Sequence, residues 1–214
     1  MWSMKVIPIA EAPARIAEIT RVLADGGLAC FPMRGGYRIA VDARSEDAVG
    51  RLMQSKRRAR NHPALVLVGS LSAASEVVAG TTWPTTRRLA ERLWPGPLTL
   101  VLPPSDRLPT KVRKVLTRAT GKLGVRVTDD PIAAAVVMQF GGPVLLSSAN
   151  LEQKPGAASA SVVKQRFVRA VDVWVDAGDL PPAPPSTIVE VDEGGWTLVR
   201  DGAVPVAAIE RAAA

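Results

Sequence analysis

Short apolar runs alternate along the chain with segments whose apolar residues recur at helical spacing. Apolar residues from Ile16 to Leu23 follow the helical pattern before a stop at Asp25-Gly26-Gly27, which predicts a helix over residues 11–25. The apolar run at residues 28–32 predicts a buried strand. The same patterns predict strands at residues 64–68, 97–102, 123–127, 144–146, 171–175, 187–191 and 196–199, and helices over residues 45–55, 71–78, 84–93, from 131 onward, 159–169 and near the C-terminus. This alternation predicts an α/β fold: a single domain over residues 1–214 with one twisted, open, mixed sheet flanked by helices.

Residues 131–151 carry no charged side chain and are long enough to span a bilayer. Gly141-Gly142-Pro143 interrupts them, and polar side chains such as Gln139 and Asn150 would be unsatisfied in lipid. A buried helix, a turn and a buried strand are therefore predicted here, and no membrane partner. Near the start of the chain the apolar run is too short for the core of a signal peptide, which favours a cytoplasmic protein.

The charge balance points to anionic partners. The chain has 27 Lys and Arg against 20 Asp and Glu, a net charge of +7, which favours nucleotide or nucleic acid as a ligand. A single cysteine, Cys30, excludes an internal disulfide and a multi-cysteine zinc site. No sustained heptad pattern or exposed apolar strand argues for an assembly, so we expect a monomer.

Common enzyme signatures are absent from the sequence. Gly121-Lys122 is followed by Leu123 instead of Ser or Thr, so no phosphate-binding loop of that type is present, and no Gly-x-Gly-x-x-Gly fingerprint occurs. One histidine, His62, and the lack of a nucleophile elbow argue against a Ser-His-Asp triad.

Two basic features have both a structural and a functional interpretation. Five cations between Arg51 and Arg60 could form a solvated face at the end of a helix, or could clamp a triphosphate. Arg126 interrupts an apolar run, so if it is buried it needs either a bound anion or a structural ion pair with Asp129 or Asp130.

Six short motifs, taken in order, resemble the YrdC-like family of threonylcarbamoyl-AMP synthases. They are Lys56-x-Arg58, Trp94-Pro95-Gly96-Pro97-Leu98-Thr99, Gly124-Val125-Arg126-Val127, Ser147-Ser148-Ala149-Asn150, Pro185-Ser186-Thr187 and Val199-Arg200-Asp201-Gly202. The tryptophan motif by itself indicates a structural corner. The resemblance covers nearly the whole chain and implies a YrdC-like α/β fold with a concave basic surface. It also implies the formation of threonylcarbamoyl-AMP and pyrophosphate from L-threonine, bicarbonate and ATP, with Mg²⁺ bridging phosphates, for the threonylcarbamoyladenosine modification of tRNA.

The resemblance assigns ligands to individual residues and assigns no side-chain nucleophile and no protein metal ligand. The implied ATP-binding residues are Lys56, Arg58, His62, Ser148, Asn150 and Arg200, and the implied threonine-binding residues are Gly35, Arg126 and Ser186. Lys56 and Arg58 would hold the ATP phosphates, and Arg126 would bind the threonine carboxylate. Oriented cations and dipoles suit a reaction in which several anions share one pocket.

One family signature, Pro-Thr-Asp/Glu-Thr-x-Tyr-Gly-Leu, is altered here. In residues 32–39 only Pro32 and Tyr37 match it, while Arg34 replaces the acidic residue and Gly35 replaces the second threonine. Three hypotheses remain open: an active synthase with a reshaped threonine pocket, a non-catalytic paralogue that binds tRNA or double-stranded RNA, and an adenylating enzyme for another small substrate. The sequence leaves open whether Arg34 points into the pocket.

Overall fold

One continuous sheet organises the computed structural model, which describes residues 4–56, 64–150 and 157–214. Its ten strands within these residues are β1 (Lys5–Pro8), β2 (Ala29–Met33), β3 (Gly36–Asp42), β4 (Ala64–Leu67), β5 (Leu98–Leu102), β6 (Leu123–Arg126), β7 (Val144–Ser148), β8 (Val173–Asp176), β9 (Thr187–Asp192) and β10 (Gly195–Arg200). Their order across the sheet is β1-β8-β2-β3-β7-β4-β6-β5-β9-β10. Strand β8 is parallel to β1 and β2, β4 to β6 and β5 to β9, and the other neighbours are antiparallel. The predicted open, mixed sheet flanked by helices is confirmed.

Helices pack against both faces of the sheet. They are α1 (Ile16–Ala24), α2 (Glu46–Lys56), α3 (Leu71–Ala74), α4 (Pro84–Leu93), α5 (Thr110–Thr117), α6 (Pro131–Phe140), α7 (Ala160–Phe167) and α8 (Val206–Ala213). Because successive side chains of a strand point to opposite faces, the buried residues divide into two cores. Phe31 of β2 packs in the core that α1 and α6 cover, whereas Cys30 belongs to the larger core beneath α2, α4, α5, α7 and α8.

Among the described helices, α1 and α6 leave part of their face of the sheet uncovered. The core on that face includes Leu67 of β4, which pairs with Arg126 of β6. Thr99 of β5 and Ile188 of β9 lie on the same face but outside this core. This strip of sheet is the floor of the cavity described below.

Some predicted elements differ from the observed ones. A short 3₁₀ turn, Ala12–Arg15, precedes α1, so the helix predicted from residue 11 begins its α-helical part at Ile16. The helix predicted over residues 71–78 is wrong beyond Ala74, because Val78 forms a β-bridge with Pro104. Strands β1 and β3 have no counterpart among the predicted strands.

The apolar stretch after residue 130 folds as predicted, as helix α6, a left-handed turn at Gly141 (φ 69°) and strand β7. Among the described residues no helix is long and apolar enough to cross a membrane.

Candidate functional site

A cavity of about 530 Å³ lies over the uncovered strip of the sheet. Among its described lining residues are four arginines and four hydroxyl side chains and no carboxylate: Arg34, Arg38, Arg126, Arg200, Thr99, Ser147, Ser148 and Ser186. The cavity therefore suits an anionic ligand. Five of the residues that the family resemblance assigns to ligands lie outside this lining or outside the described residues: Gly35, Asn150, Lys56, Arg58 and His62.

Arg126 is the most buried of the cavity arginines. It ends strand β6, only 7% of its surface is exposed, and its Nε has no hydrogen-bond partner in the described structure. Burial lowers the pKa of Arg126 to about 10; the negative charge of Asp130 opposes this shift, and the positive charge of Arg38 adds to it. A buried cation without a contact partner is costly unless an anion binds to it.

The alternative of a structural ion pair for Arg126 does not hold in this structure. Asp129 pairs instead with Arg34, whose Nη2 lies 3.1 Å from Asp129 Oδ2. The Oδ1 atom of Asp130 accepts from the backbone N–H of Arg34 at 2.8 Å, and its Oδ2 accepts from Thr128 Oγ1 at 3.1 Å. Both carboxylates are thus engaged elsewhere, and no ion pair to Arg126 occurs among the residues described.

Arg200 and Ser186 form one hydrogen-bonded unit in the cavity wall. Arg200 Nη2 donates to Ser186 O at 2.7 Å and to Ser186 Oγ at 3.0 Å, and Arg200 Nε donates to Ser186 O at 3.1 Å. Thr99 Oγ1 donates to Ser186 Oγ at 3.3 Å. The motifs around residues 186 and 200, which are weak signals when taken singly, therefore meet in one network that orients a hydroxyl and a guanidinium at the cavity wall.

The altered signature forms a tight hairpin turn. Met33 of β2 pairs with Gly36 of β3, so Arg34 and Gly35 are the two residues of the turn. Gly35 has φ +72°, a conformation that favours glycine, and a Cβ there would lie 3.2 Å from Ala183 O. The side chain of Arg34 reaches the cavity lining, but its guanidinium is held by Asp129.

Arg38 is a cavity residue that the sequence analysis does not assign. Tyr37, Ile39 and Val41 of β3 all belong to the larger core, so Arg38 projects from the opposite face. Its Nη1 donates to Tyr37 O at 3.1 Å, and burial lowers its pKa. The alternation of apolar residues in β3 is the signal that could place Arg38 on the cavity side of the sheet.

Tyr37, which matches the family signature, has a structural role. Its ring is fully buried and packs edge-on against Trp174, with ring centroids 5.5 Å apart. Its hydroxyl donates to Gly178 O at 2.7 Å and accepts from the N–H of Ala177 at 2.9 Å. These contacts fix strand β3 to the loop after β8.

The serine-rich loop begins at the end of β7. Ser148 is opposite Arg38 in the β3–β7 pairing, and the N–H of Ala149 donates to Tyr37 O at 2.9 Å. Asn150 Oδ1 is buried and has no hydrogen-bond partner in the described structure. An unpaired buried acceptor of this kind suits a donor from a ligand.

The basic cluster lies mostly outside the described residues. Helix α2 ends at Lys56, and Arg58 and His62 fall in the segment 57–63 that the structure does not describe. In the parts of the chain that are described, no group of three or more His, Cys, Asp or Glu side chains could hold a metal ion.

Comparison with known proteins places the chain in a family. A family model for Sua5, YciO and YrdC proteins, described as "Telomere recombination", matches residues 21–202. The chain belongs to the Sua5/YciO/YrdC family. The family resemblance deduced from the motifs is thereby confirmed.

The relatives in this family include threonylcarbamoyl-AMP synthases. The one from Pyrococcus abyssi is 32% identical over 187 residues, which cover 87% of this chain and 54% of that protein. The one from Chromohalobacter salexigens is 32% identical over 184 residues, 86% of this chain and 96% of that protein. The chain thus spans about half the length of the Pyrococcus relative and nearly all of the Chromohalobacter one.

Solved structures of the family share the fold. P. abyssi Sua5 complexed with L-threonine superposes with a TM-score of 0.83 at 29% identity, over 98% of this chain and 60% of that one. E. coli YciO superposes with a TM-score of 0.79 at 22% identity, over 98% of this chain and all of that one, which supports the fold alone.

Proposed function

We propose that this chain forms threonylcarbamoyl-AMP and pyrophosphate from L-threonine, bicarbonate and ATP, and so serves tRNA threonylcarbamoyladenosine modification in the cytoplasm. The observation that carries the proposal is the buried, unpartnered Nε of Arg126 in a cavity without a lining carboxylate. The Sua5 structure in complex with L-threonine supports the same ligand for this cavity.

The amino-acid end of the site would be formed by Arg126 and Ser186. Arg126 binds the threonine carboxylate, which supplies the partner that its Nε lacks. The hydroxyl of Ser186, oriented by Thr99 and Arg200, faces the rest of the amino acid. Gly35 lies in the hairpin turn at the position of the second signature threonine, so in this chain that position contributes no side-chain contact to threonine.

The nucleotide end would be formed by the serine-rich loop and the basic cluster. Ser148 and Asn150 contact the nucleotide, and the buried Oδ1 of Asn150 accepts a hydrogen bond from it. Lys56, Arg58 and His62 contact the phosphates, and Arg200, which is held by Ser186, closes on ATP. Mg²⁺ accompanies ATP and neutralises phosphate charge, and we assign no protein side chain to it.

The chemistry needs no side-chain nucleophile. The threonine amine and bicarbonate form a carbamate with release of water. A carbamate oxygen then attacks the α-phosphorus of ATP, the bond from that phosphorus to the bridging oxygen breaks, and pyrophosphate leaves. The residues named above hold anions together and stabilise the charge that develops in the transition state.

Pyrophosphate release from ATP, Mg²⁺ and bicarbonate, measured with and without L-threonine, tests the proposal. We expect threonine-dependent release, and a loss of at least about 100-fold in kcat/KM in Arg126→Gln, because the carboxylate contact is removed. Arg87→Gln is the matched control, since Arg87 is an exposed residue of α4 that pairs with Glu91. If ATP binds but threonine stimulates no release, the synthase proposal is wrong and an RNA-binding role gains support.

A further inference from the structure

The proposed reaction gives no role to Arg38, although this side chain lines the cavity. Its Nη1 donates to Tyr37 O at 3.1 Å, which is the hydrogen bond that this guanidinium makes within the described residues. Burial lowers the pKa of Arg38; the charge of Asp130 opposes this shift, and the charge of Arg200 adds to it. A partly buried guanidinium that donates one hydrogen bond within the described residues, in a cavity whose described lining holds no carboxylate, is suited to bind an oxyanion.

The position of Arg38 in the sheet indicates which oxyanion. Arg38 is opposite Ser148 in the β3–β7 pairing, and side chains opposite each other on one face are neighbours. Arg126 lies farther along the sheet, on β6, and its side chain lines the same cavity as Arg38 and Ser148. Arg38 thus shares the cavity with the residue proposed to bind the nucleotide, which is its neighbour, and with the residue proposed to bind the threonine carboxylate.

The backbone around Arg38 is held in place, which limits the entropy lost when it binds. Tyr37, the preceding residue, is fully buried and hydrogen-bonded to the loop after β8. The carbonyl of Tyr37 also accepts from Ala149 and from Arg38 itself. A guanidinium anchored at one nitrogen is pre-organised to use its other nitrogens on a ligand.

We infer that Arg38 binds the α-phosphate of ATP at the junction of the two ends of the cavity, as a further catalytic residue of this chain. The inference rests on the proposed function, because it takes ATP as the nucleotide in this cavity. The α-phosphate is the group to which the carbamate is joined, so it must lie between amino acid and nucleotide. Two N–H donors directed at its oxygens stabilise the charge that builds up there during the attack.

The contribution of the α-phosphate to binding is the difference between the affinities for AMP and for adenosine, both measured by calorimetry at low ionic strength. The wild-type protein binds AMP more tightly than adenosine, and Arg38→Gln weakens AMP by about 10- to 100-fold while adenosine changes less than about twofold. Arg38→Met is a second variant that removes the charge and keeps the apolar stem, and it gives the same result. Arg87→Gln, equal in charge change but on helix α4, which packs on the other face of the sheet, leaves both affinities unchanged. An equal loss for adenosine and AMP, or no loss for either, overturns the inference.

Turnover provides a separate measurement. Arg38→Gln lowers kcat for threonine-dependent pyrophosphate release by at least about 10-fold with little change in KM for threonine, and Arg38→Lys retains more activity than Arg38→Gln. If the wild-type protein shows no such turnover while Arg38→Gln abolishes the preference for AMP over adenosine, the synthase proposal is wrong and the contact between Arg38 and the nucleotide phosphate is supported. Turnover that is normal in Arg38→Gln contradicts the role of Arg38 and leaves the synthase proposal standing.

Discussion

We expect Arg126 to destabilise the ligand-free protein, because a buried cation without an ion-pair partner is unfavourable. Burial lowers its pKa to about 10, and a difference of one in pKa corresponds to about 1.4 kcal/mol, so the buried charge should cost on the order of 3 kcal/mol at neutral pH. A base whose pKa is lower in the folded protein carries this full cost below about pH 10 and loses it as the pH rises from there towards the ordinary pKa of arginine. We therefore expect Arg126→Met to raise the free energy of unfolding by about 1–2 kcal/mol in urea denaturation, while threonine binding is lost.

The control for this prediction is Arg87→Met. Arg87 is exposed and its Nη2 lies 3.8 Å from Glu91 Oε1, so the change should alter stability by less than about 0.5 kcal/mol. A ligand-free Arg126→Met protein that is less stable than wild type would show that Asp130 compensates the buried charge.

Tyr37 makes the opposite contribution to stability. Removing its hydroxyl in Tyr37→Phe leaves the N–H of Ala177, which is half-buried, and the carbonyl of Gly178, which is exposed, without this partner. We expect the free energy of unfolding to fall by about 0.5–1.5 kcal/mol, measured by urea denaturation. Because the ring stays against Trp174, Tyr37→Leu should cost more than Tyr37→Phe. A loss below about 0.5 kcal/mol in Tyr37→Phe would mean that water replaces the hydroxyl.

At the scale of elements, the sequence predicts those strands and helices whose apolar pattern is uninterrupted. The Oγ of Ser45 accepts from the N–H of Ala48, as the predicted start of α2 requires. Strand β1 is not predicted because only one of its four residues, Ile7, is buried, and one buried residue does not produce an alternating pattern. Strand β3 is obscured because Arg38 and Asp42 stand among its apolar residues, and its register is set by pairing with β2 and β7.

Gly202, which follows β10, packs closely against the backbone at the start of β9. A Cβ on Gly202 would lie 2.7 Å from both Ser186 C and Thr187 N, which are backbone atoms and cannot move independently. Gly202→Ala should therefore separate the two segments and displace Ser186 from Arg200. We expect a loss of about 1–3 kcal/mol in the free energy of unfolding, and at least about tenfold weaker threonine binding by calorimetry.

Gly194→Ala is the matched control in the turn between the same two strands. The nearest atom to a Cβ on Gly194 is Asp192 Oδ1 at 3.4 Å, an ordinary contact, so stability and threonine binding should stay close to wild type. Equal behaviour of the two alanine variants would show that the segment carrying Ser186 adapts without cost.

At the scale of the whole molecule, the sequence names candidate site residues, and the structure shows which of them meet. Arg126, Ser148, Ser186 and Arg200 line one cavity, and their assignment to ligands stays a prediction. Arg38 is missed because strand β3 is not predicted, so the alternation of side chains that places Arg38 on the opposite face from Tyr37 and Ile39 is not applied. The predictions for Arg58 and His62 fall outside the described residues and stay predictions.

The net charge of +7 favours RNA as an alternative partner, and RNA binding driven by this charge should depend on the salt concentration. Binding through four phosphate contacts should weaken about 100-fold between about 50 and 200 mM salt, because each contact releases counterions from the RNA. Filter binding of tRNA at several salt concentrations measures this slope. A change of less than about threefold over that range would mean that phosphate contacts do not drive binding.

Arg200 allows the RNA surface to be located, because it is exposed and lines the cavity. If tRNA covers the cavity, Arg200→Gln should reduce the slope of log affinity against log salt by about one, and saturating ATP should displace the RNA. Arg87→Gln on α4 should then leave the slope unchanged. If ATP and tRNA bind without competing, basic charge outside the cavity holds the RNA. A synthase that releases threonylcarbamoyl-AMP close to the tRNA that is to be modified is then compatible with the same chain.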